Sequence, residues 1–182
     1  MVGVSPTPVG DVWTLTDLDA LPDDGNRYEI VDGLLLVNPP PRIHHQIAAH
    51  RLAIVLEGAC PLELLVVPGP LRVALGELTG VEPDLSVVRR ADVVDNLLAG
   101  RPLLVVEVLS PSTRSKDLLL KRDVYQRLGI PSYWIVDPDE PSLLVLELAD
   151  SVYVEVTRLT GDQTVRLDKP FPIEVSSSGR GG

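Results

Sequence analysis

Asp84 and Glu107 are the side chains of this chain best placed to do chemistry. Glu107 interrupts Pro102-Leu103-Leu104-Val105-Val106-Glu107-Val108-Leu109-Ser110, an apolar run of the kind that fills a buried strand. An unpaired carboxylate is costly to take out of water, so a glutamate there must be neutralised, paired or bound to a cation. Asp84 lies near the start of a second strand-like run, Val81-Glu82-Pro83-Asp84-Leu85-Ser86-Val87-Val88. The 23 positions between the two acids leave room for a strand, a connection and a second strand. Neighbouring strands lie about 4.8 Å apart, so carboxylates on one face of such neighbours can share a divalent cation. Mg²⁺ favours this arrangement of hard oxygens, one or two carboxylates and retained waters. One of those waters is the nucleophile if the substrate is a phosphodiester.

The elements that must position these acids follow from the pattern. Thr16 is the expected cap of a short helical turn ending near Leu21. Tyr28 to Val37 reads as a hairpin about Asp32-Gly33, a strong turn signal between β-prone runs. After Pro39-Pro40-Pro41, residues His44 to Gly58 have helical spacing, with Ile47, Leu52, Ile54, Val55 and Leu56 as the apolar side. Leu62 to Val67 and Leu71 to Leu75 are expected to pair about Pro68-Gly69-Pro70, and residues 91–98 to form a loop and short helix. A helix from Lys116 to Leu128, capped by Ser112 or Thr113 and closed by Gly129, precedes strands at 132–136, 143–148, 152–159 and 164–167. The expected organisation is a flexible arm over 1–10, one domain over 11–175 and a disordered tail over 176–182. The fold class is α+β with one central mixed sheet.

The candidate site residues also have plainer readings. Glu107 could be a buried acid paired with Lys121 or Arg122, and Asp84 a residue shaping the turn after Pro83. Glu29 could be an exposed strand acid. Lys121 could pair with Asp117 at i,i+4 on a solvated helix face, or turn inward towards a phosphate or a water. Helix spacing puts Asp117, Lys121 and Tyr125 on one side. His44 and His45 open a helix, and His45 is by register the candidate for a substrate contact. Three scattered histidines and one cysteine lack zinc-ligand spacing, and Ser110 and Ser112 sit in no nucleophile elbow. Tyr133-Trp134 belongs in the core rather than to base stacking.

Pro83-Asp84 followed by Glu107-Val108-Leu109 resembles the PD-(D/E)XK nuclease superfamily. Its usual lysine, two places after the second acid, is here Leu109. A longer set of motifs resembles the Uma2 family of restriction-endonuclease-like proteins over about residues 12–175. It comprises Tyr28 to Gly33, His44-His45, Pro83-Asp84, Val106 to Thr113, Asp117 with Lys121 and Tyr125, Gly129, and Tyr133 to Asp137. The resemblance implies a restriction-endonuclease-like core, a central mixed β-sheet flanked by helices. It implies Asp84, Glu107 and the Val108 carbonyl as metal ligands, Glu29 as a further acid, and Lys121 as the catalytic lysine moved to the following helix. Tyr125 and His45 are then candidate substrate contacts. The implied activity is a Mg²⁺- or Mn²⁺-dependent endonuclease that hydrolyses DNA by metal-activated water. The alternative is an inactive nuclease-fold module that binds nucleic acid or protein.

Bulk composition bounds these readings. The 182 residues suffice for one domain with a substantial core, and the 4% aromatic content makes that core aliphatic. A formal net charge of −10 argues against coating nucleic acid through summed charge. Arg42, Arg51, Arg114, Lys116 and Arg122 are the candidates for a local basic cleft. The single cysteine, Cys60, fits a reducing cytoplasm, and no apolar run is long enough to span a membrane. Double-strand cutting by a single-site nuclease would call for a homodimer.

Overall fold

The computed structural model describes residues 10, 12–95, 97–110, 114 and 116–177, the side chains of 116–118 excepted. The arm expected over 1–10 lies outside them apart from Gly10, as do Ser112, Thr113 and residues 178–182. In chain order the elements are α1 (Leu15–Asp19), β1 (Arg27–Val31), β2 (Leu34–Asn38), α2 (Ile43–Ala59), β3 (Leu64–Pro68), β4 (Val73–Ala74), β5 (Gly80–Val81) and β6 (Leu85–Arg89). There follow a 3₁₀ turn (Arg90–Asp92), β7 (Val93–Val94), β8 (Leu97–Leu98), β9 (Leu104–Val108), a π-helical turn (Lys116–Lys121) and α3 (Arg122–Arg127). The chain continues through β10 (Ser132–Asp137), β11 (Ser142–Ala149), β12 (Val152–Thr160), β13 (Thr164–Leu167) and β14 (Ile173–Ser176).

A six-stranded sheet in the order β12-β11-β10-β9-β6-β3 forms the centre, and a four-stranded sheet, β2-β1-β5-β4, packs beside it. The large sheet is mixed. β9 and β10 run parallel because α3 crosses between them, whereas β3, β6, β11 and β12 join antiparallel. Strand alternation divides β9 between two cores. Leu104, Val106 and Val108 pack with Leu52 and Leu56 of α2 and with Ile173 and Val175 of β14. Val105 and Leu109 pack on the other side with Val124 and Tyr125 of α3 and with Val31 and Val81 of the small sheet. The mixed α+β class expected from the sequence is the one observed.

Several local expectations are corrected. Thr14, not Thr16, caps α1, forming a capping box with Asp17. α2 buries His45, Ala48, Leu52 and Leu56, while Ile47 and Ile54 are exposed. β3 pairs with β6 and β4 with β5, so the two runs about Pro68-Gly69-Pro70 are not partners. Gly69 N–H donates to the Asp84 carbonyl at 2.8 Å, continuing the alignment with β6, and Pro70 has no N–H to return a hairpin ladder. Where a loop and short helix were expected over 91–98, helical structure is confined to the 3₁₀ turn ending at Asp92, and Val93–Val94 pairs with Leu97–Leu98, Asp95 standing at φ 50 between them. The helix expected from Lys116 is a π turn followed by α3, closed by Gly129 at φ 65. Ser176 and Ser177, expected in the tail, are ordered into the fold: Ser176 ends β14 and Ser177 is buried. Among the described residues no helix is long and apolar enough to cross a membrane.

Candidate functional site

β6 and β9 carry the two acids to one place. Leu85 lies opposite Val106, and one step further Asp84 N–H donates to the Val106 carbonyl at 3.1 Å. Asp84 and Glu107 thus meet where the two strands part. The Asp84 carboxylate takes over there as acceptor, receiving Val108 N–H at 2.9 Å on Oδ2. His45 Nε2 lies 3.0 Å from the same oxygen, and Arg27 Nη1 donates to Oδ1 at 2.9 Å. Burial alone pushes the Asp84 carboxyl up, but the His45 hydrogen bond and the nearby cationic side chains outweigh it and bring it down to about 2. Burial likewise opposes the Arg27 charge, and Asp84, Glu107 and Glu29 more than offset it, raising the guanidinium.

Glu107 is held from the helical side. Lys121 Nζ lies 2.9 Å from its Oε1 and 2.9 Å from Glu29 Oε1, with Lys121 and both acids buried. Tyr125 donates its hydroxyl to the same Glu107 oxygen at 2.5 Å. Burial, then the Glu107 and Glu29 charges, raise the phenol well above its ordinary value, so it remains a donor. The π turn ends at Lys121 and α3 carries Tyr125 four residues on, so one helical segment sends both side chains to one oxygen. The lysine amino group missing from β9 is supplied by Lys121, while Leu109 is buried among apolar neighbours.

Glu29 reaches the cluster from β1. Its Oε1 also accepts Glu82 N–H at 2.6 Å, and its Oε2 accepts from Asn38 Nδ2 at 2.7 Å. Burial and then the Glu29 charge raise the neighbouring Glu82 carboxyl. Glu29 is therefore tied to Lys121, to the Asn38 carboxamide and to the Glu82 backbone N–H. Among the described residues no group of three or more His, Cys, Asp or Glu side chains is placed to hold a metal ion. Asp84 and Glu107 do supply hard oxygens to a common pocket, so the donor set fits a two-carboxylate Mg²⁺ or Mn²⁺ site completed by waters.

That pocket, of about 190 Å³, is lined by Arg27, Arg42, His45, Asp84, Glu107 and Lys121 together with Asn38, Ser110 and the Pro39-Pro40-Pro41 turn. Tyr125 is wholly buried behind Glu107, stacked edge-on against Tyr133 at 5.1 Å, and does not line the pocket as a substrate contact would. Of the five residues expected to form a basic cleft, Arg42 alone lines it. Arg51 lies elsewhere, Arg114 pairs with Asp137, Arg122 donates to the Tyr153 carbonyl, and the Lys116 side chain is outside the described residues, as is that of Asp117. His44 is exposed and His45 is buried on the core stripe of α2. The sequence reading missed Arg27 and Asn38. Arg27 was within reach, because it stands two residues before Glu29 on one strand and so shares its face.

Comparison with known proteins places these features in a family. No curated protein matches the chain. A solved structure from Anabaena variabilis, described as "a putative nuclease belonging to DUF820", matches with TM-score 0.71 at 20% identity. The match covers 85% of this chain and 89% of that one, a likeness of fold. The Uma2 profile, described as "Putative restriction endonuclease", matches residues 15–178, and that span includes Arg27, Glu29, His45, Asp84, Glu107 and Lys121. The chain belongs to the Uma2 family.

Proposed function

We propose that the protein is a Mg²⁺- or Mn²⁺-dependent endodeoxyribonuclease, hydrolysing DNA phosphodiester bonds. The observation that carries this reading is the meeting of Asp84 and Glu107 at the parting of β6 and β9, in a pocket that also holds the Lys121 ammonium. Asp84 and Glu107 are the ligands, with the Val108 carbonyl as a further donor. A bound divalent cation supplies Lewis acidity to the phosphate and lowers the pKa of a coordinated water. Lys121 stabilises charge developing on the phosphate or orients the water, and Glu29 and Tyr125 fix its position against Glu107. Arg27, Arg42 and His45 face the same pocket and attract the phosphate oxygens. DNA is the substrate, a homodimer is the assembly that would cut both strands, and the cytoplasm is the compartment.

Mn²⁺ titration calorimetry on the wild type and on Glu107→Ala, paired with cleavage of plasmid and single-stranded DNA, tests the reading. Saturable binding and cleavage, both lost in Glu107→Ala, support it. A wild type that neither binds Mn²⁺ nor cuts in its presence sinks it. One observation favours a second reading, a nuclease-fold module that binds nucleic acid or protein without cutting. Each carboxylate already has an internal cation, Arg27 on Asp84 and Lys121 on Glu107. DNA binding that survives Glu107→Ala, with no cleavage by either protein, would establish that module.

A further inference from the structure

The charged pocket has a larger neighbour. A groove of about 510 Å³ continues from it between α2 and the Pro68-Gly69-Pro70 turn, and Arg27, Pro41, His45 and Asp84 line both. A chain laid through the two spaces therefore crosses Asp84. The groove is built differently from the pocket. Gln46, Ala49, His50 and Ala53 line it at i, i+3, i+4 and i+7, one face of α2, and the two alanines leave space that longer side chains would fill. The opposite wall is fixed to the site. Gly69 donates to the Asp84 carbonyl at 2.8 Å, and a Cβ on Gly69 would stand 2.5 Å from the Pro83 carbonyl oxygen. The wall cannot slide along β6 without losing that contact, so the groove is pre-formed.

Charge and size say what each space takes. The pocket is lined by Arg27, Arg42 and Lys121, whereas among the described residues the groove has Arg27 as its one Lys or Arg, paired with Asp84, and adds Asp23. A phosphate belongs in the first and an uncharged group in the second. Sites that enclose a drug-sized ligand run from about 300 to 1,000 Å³, so the groove, and not the pocket, has the size for a base with its sugar. Among the described residues the groove lining contains no Phe, Tyr or Trp ring, and its rings are the imidazoles of His45 and His50. It offers instead the carboxamides of Asn26 and Gln46, each able to donate and accept, beside apolar Ala49, Ala53 and Leu85. At the junction, the buried Nδ1 of His45 has no hydrogen-bond partner among the described residues; with Nε2–H donating to the Asp84 carboxylate it is an acceptor that a sugar hydroxyl or a water would complete.

We infer that this groove binds one unpaired nucleoside beside the scissile phosphate, reading its edge through Gln46 and Asn26. The inference rests on the phosphodiesterase reading and adds a subsite to it. A base inside a duplex cannot present itself to such a groove, so the preferred substrate is single-stranded, looped or carries a flipped nucleotide.

The test is fluorescence anisotropy of a fluorescein-labelled single-stranded oligodeoxynucleotide and of its duplex, with Ca²⁺ in place of Mg²⁺. Ala53→Leu fills the groove, and Gln46→Ala combined with His50→Ala removes exposed polar edges without touching the core. The single strand should bind the wild type more tightly than the duplex. Each variant should lose about tenfold of that affinity, roughly 1.4 kcal/mol, with Mn²⁺ affinity unchanged. If thermal melting shows Ala53→Leu to be misfolded, the double variant decides. Unchanged single-strand affinity in the double variant, or a preference for duplex, overturns the groove assignment while leaving Glu107-dependent cleavage intact. Absence of both oligonucleotide binding and cleavage in the wild type overturns the phosphodiesterase reading with it.

Discussion

Lys121 Nζ stands 2.9 Å from Glu107 Oε1, both groups are buried, and the same ammonium is 2.9 Å from Glu29. Replacing Lys121 with Met leaves two carboxylates facing one another out of water. Breaking a buried pair in this way costs about 3–5 kcal/mol. Urea unfolding should show that loss, and adding Glu107→Gln to Lys121→Met should recover part of it. If the double variant is no more stable than the single one, the two groups are not coupled.

Arg27 is an internal counter-cation for Asp84, so it competes with any metal for that carboxylate. Arg27→Gln should therefore raise Mn²⁺ affinity in calorimetry by about tenfold, the equivalent of 1.4 kcal/mol, while weakening the hold on DNA. A fall in Mn²⁺ affinity would show instead that Arg27 serves to hold Asp84 in place.

The folded protein depresses the Asp84 carboxyl from 3.8 to about 2. A depressed carboxyl stabilises the fold above its unfolded value and loses that contribution as pH falls through the folded one. In metal-free protein the advantage of wild type over Asp84→Asn should be about 2 kcal/mol at neutral pH and shrink between about pH 4 and pH 2. Denaturation curves across that range check it. A constant difference would mean that Asp84 acts through shape and not charge.

Tyr125→Phe keeps the ring against Tyr133 and removes the hydroxyl from Glu107. A hydrogen bond to a charged group contributes about 1.5–3 kcal/mol, so the variant should be less stable by that order. Cleavage should fall with KM little altered, because the phenol acts behind Glu107. A raised KM with unchanged kcat would place Tyr125 at the substrate instead.

What was legible in the sequence was whatever depends on neighbours along the chain. Asp32-Gly33 marks the β1–β2 turn because both residues take positive φ, 49 and 81. The apolar run about Glu107 reads as a strand, and helical spacing brings Lys121 and Tyr125 to one side. The register of α2 likewise separates buried His45 from exposed His44. Illegible were features set by distant partners. β3 meets β6 in a ladder that the Gly69–Asp84 hydrogen bond continues, and Arg27 joins the site through a residue 57 positions away. Neither contact leaves a periodic trace. The π turn is hidden too, since its composition is that of an ordinary helix start.

The cluster spans an architectural seam. Glu29 and Arg27 belong to the small sheet, Glu107 and Asp84 to the large one, and Lys121 to the segment that crosses between β9 and β10. The groups that could do chemistry are thus also the rivets between two layers. A descendant that lost its substrate could not shed them one at a time without loosening the fold. Persistence of these acids and of Lys121 through sequence drift would record selection for assembly as well as for catalysis. The two pressures separate only at residues that face the open spaces without bridging the sheets, Arg42 and Gln46 first among them.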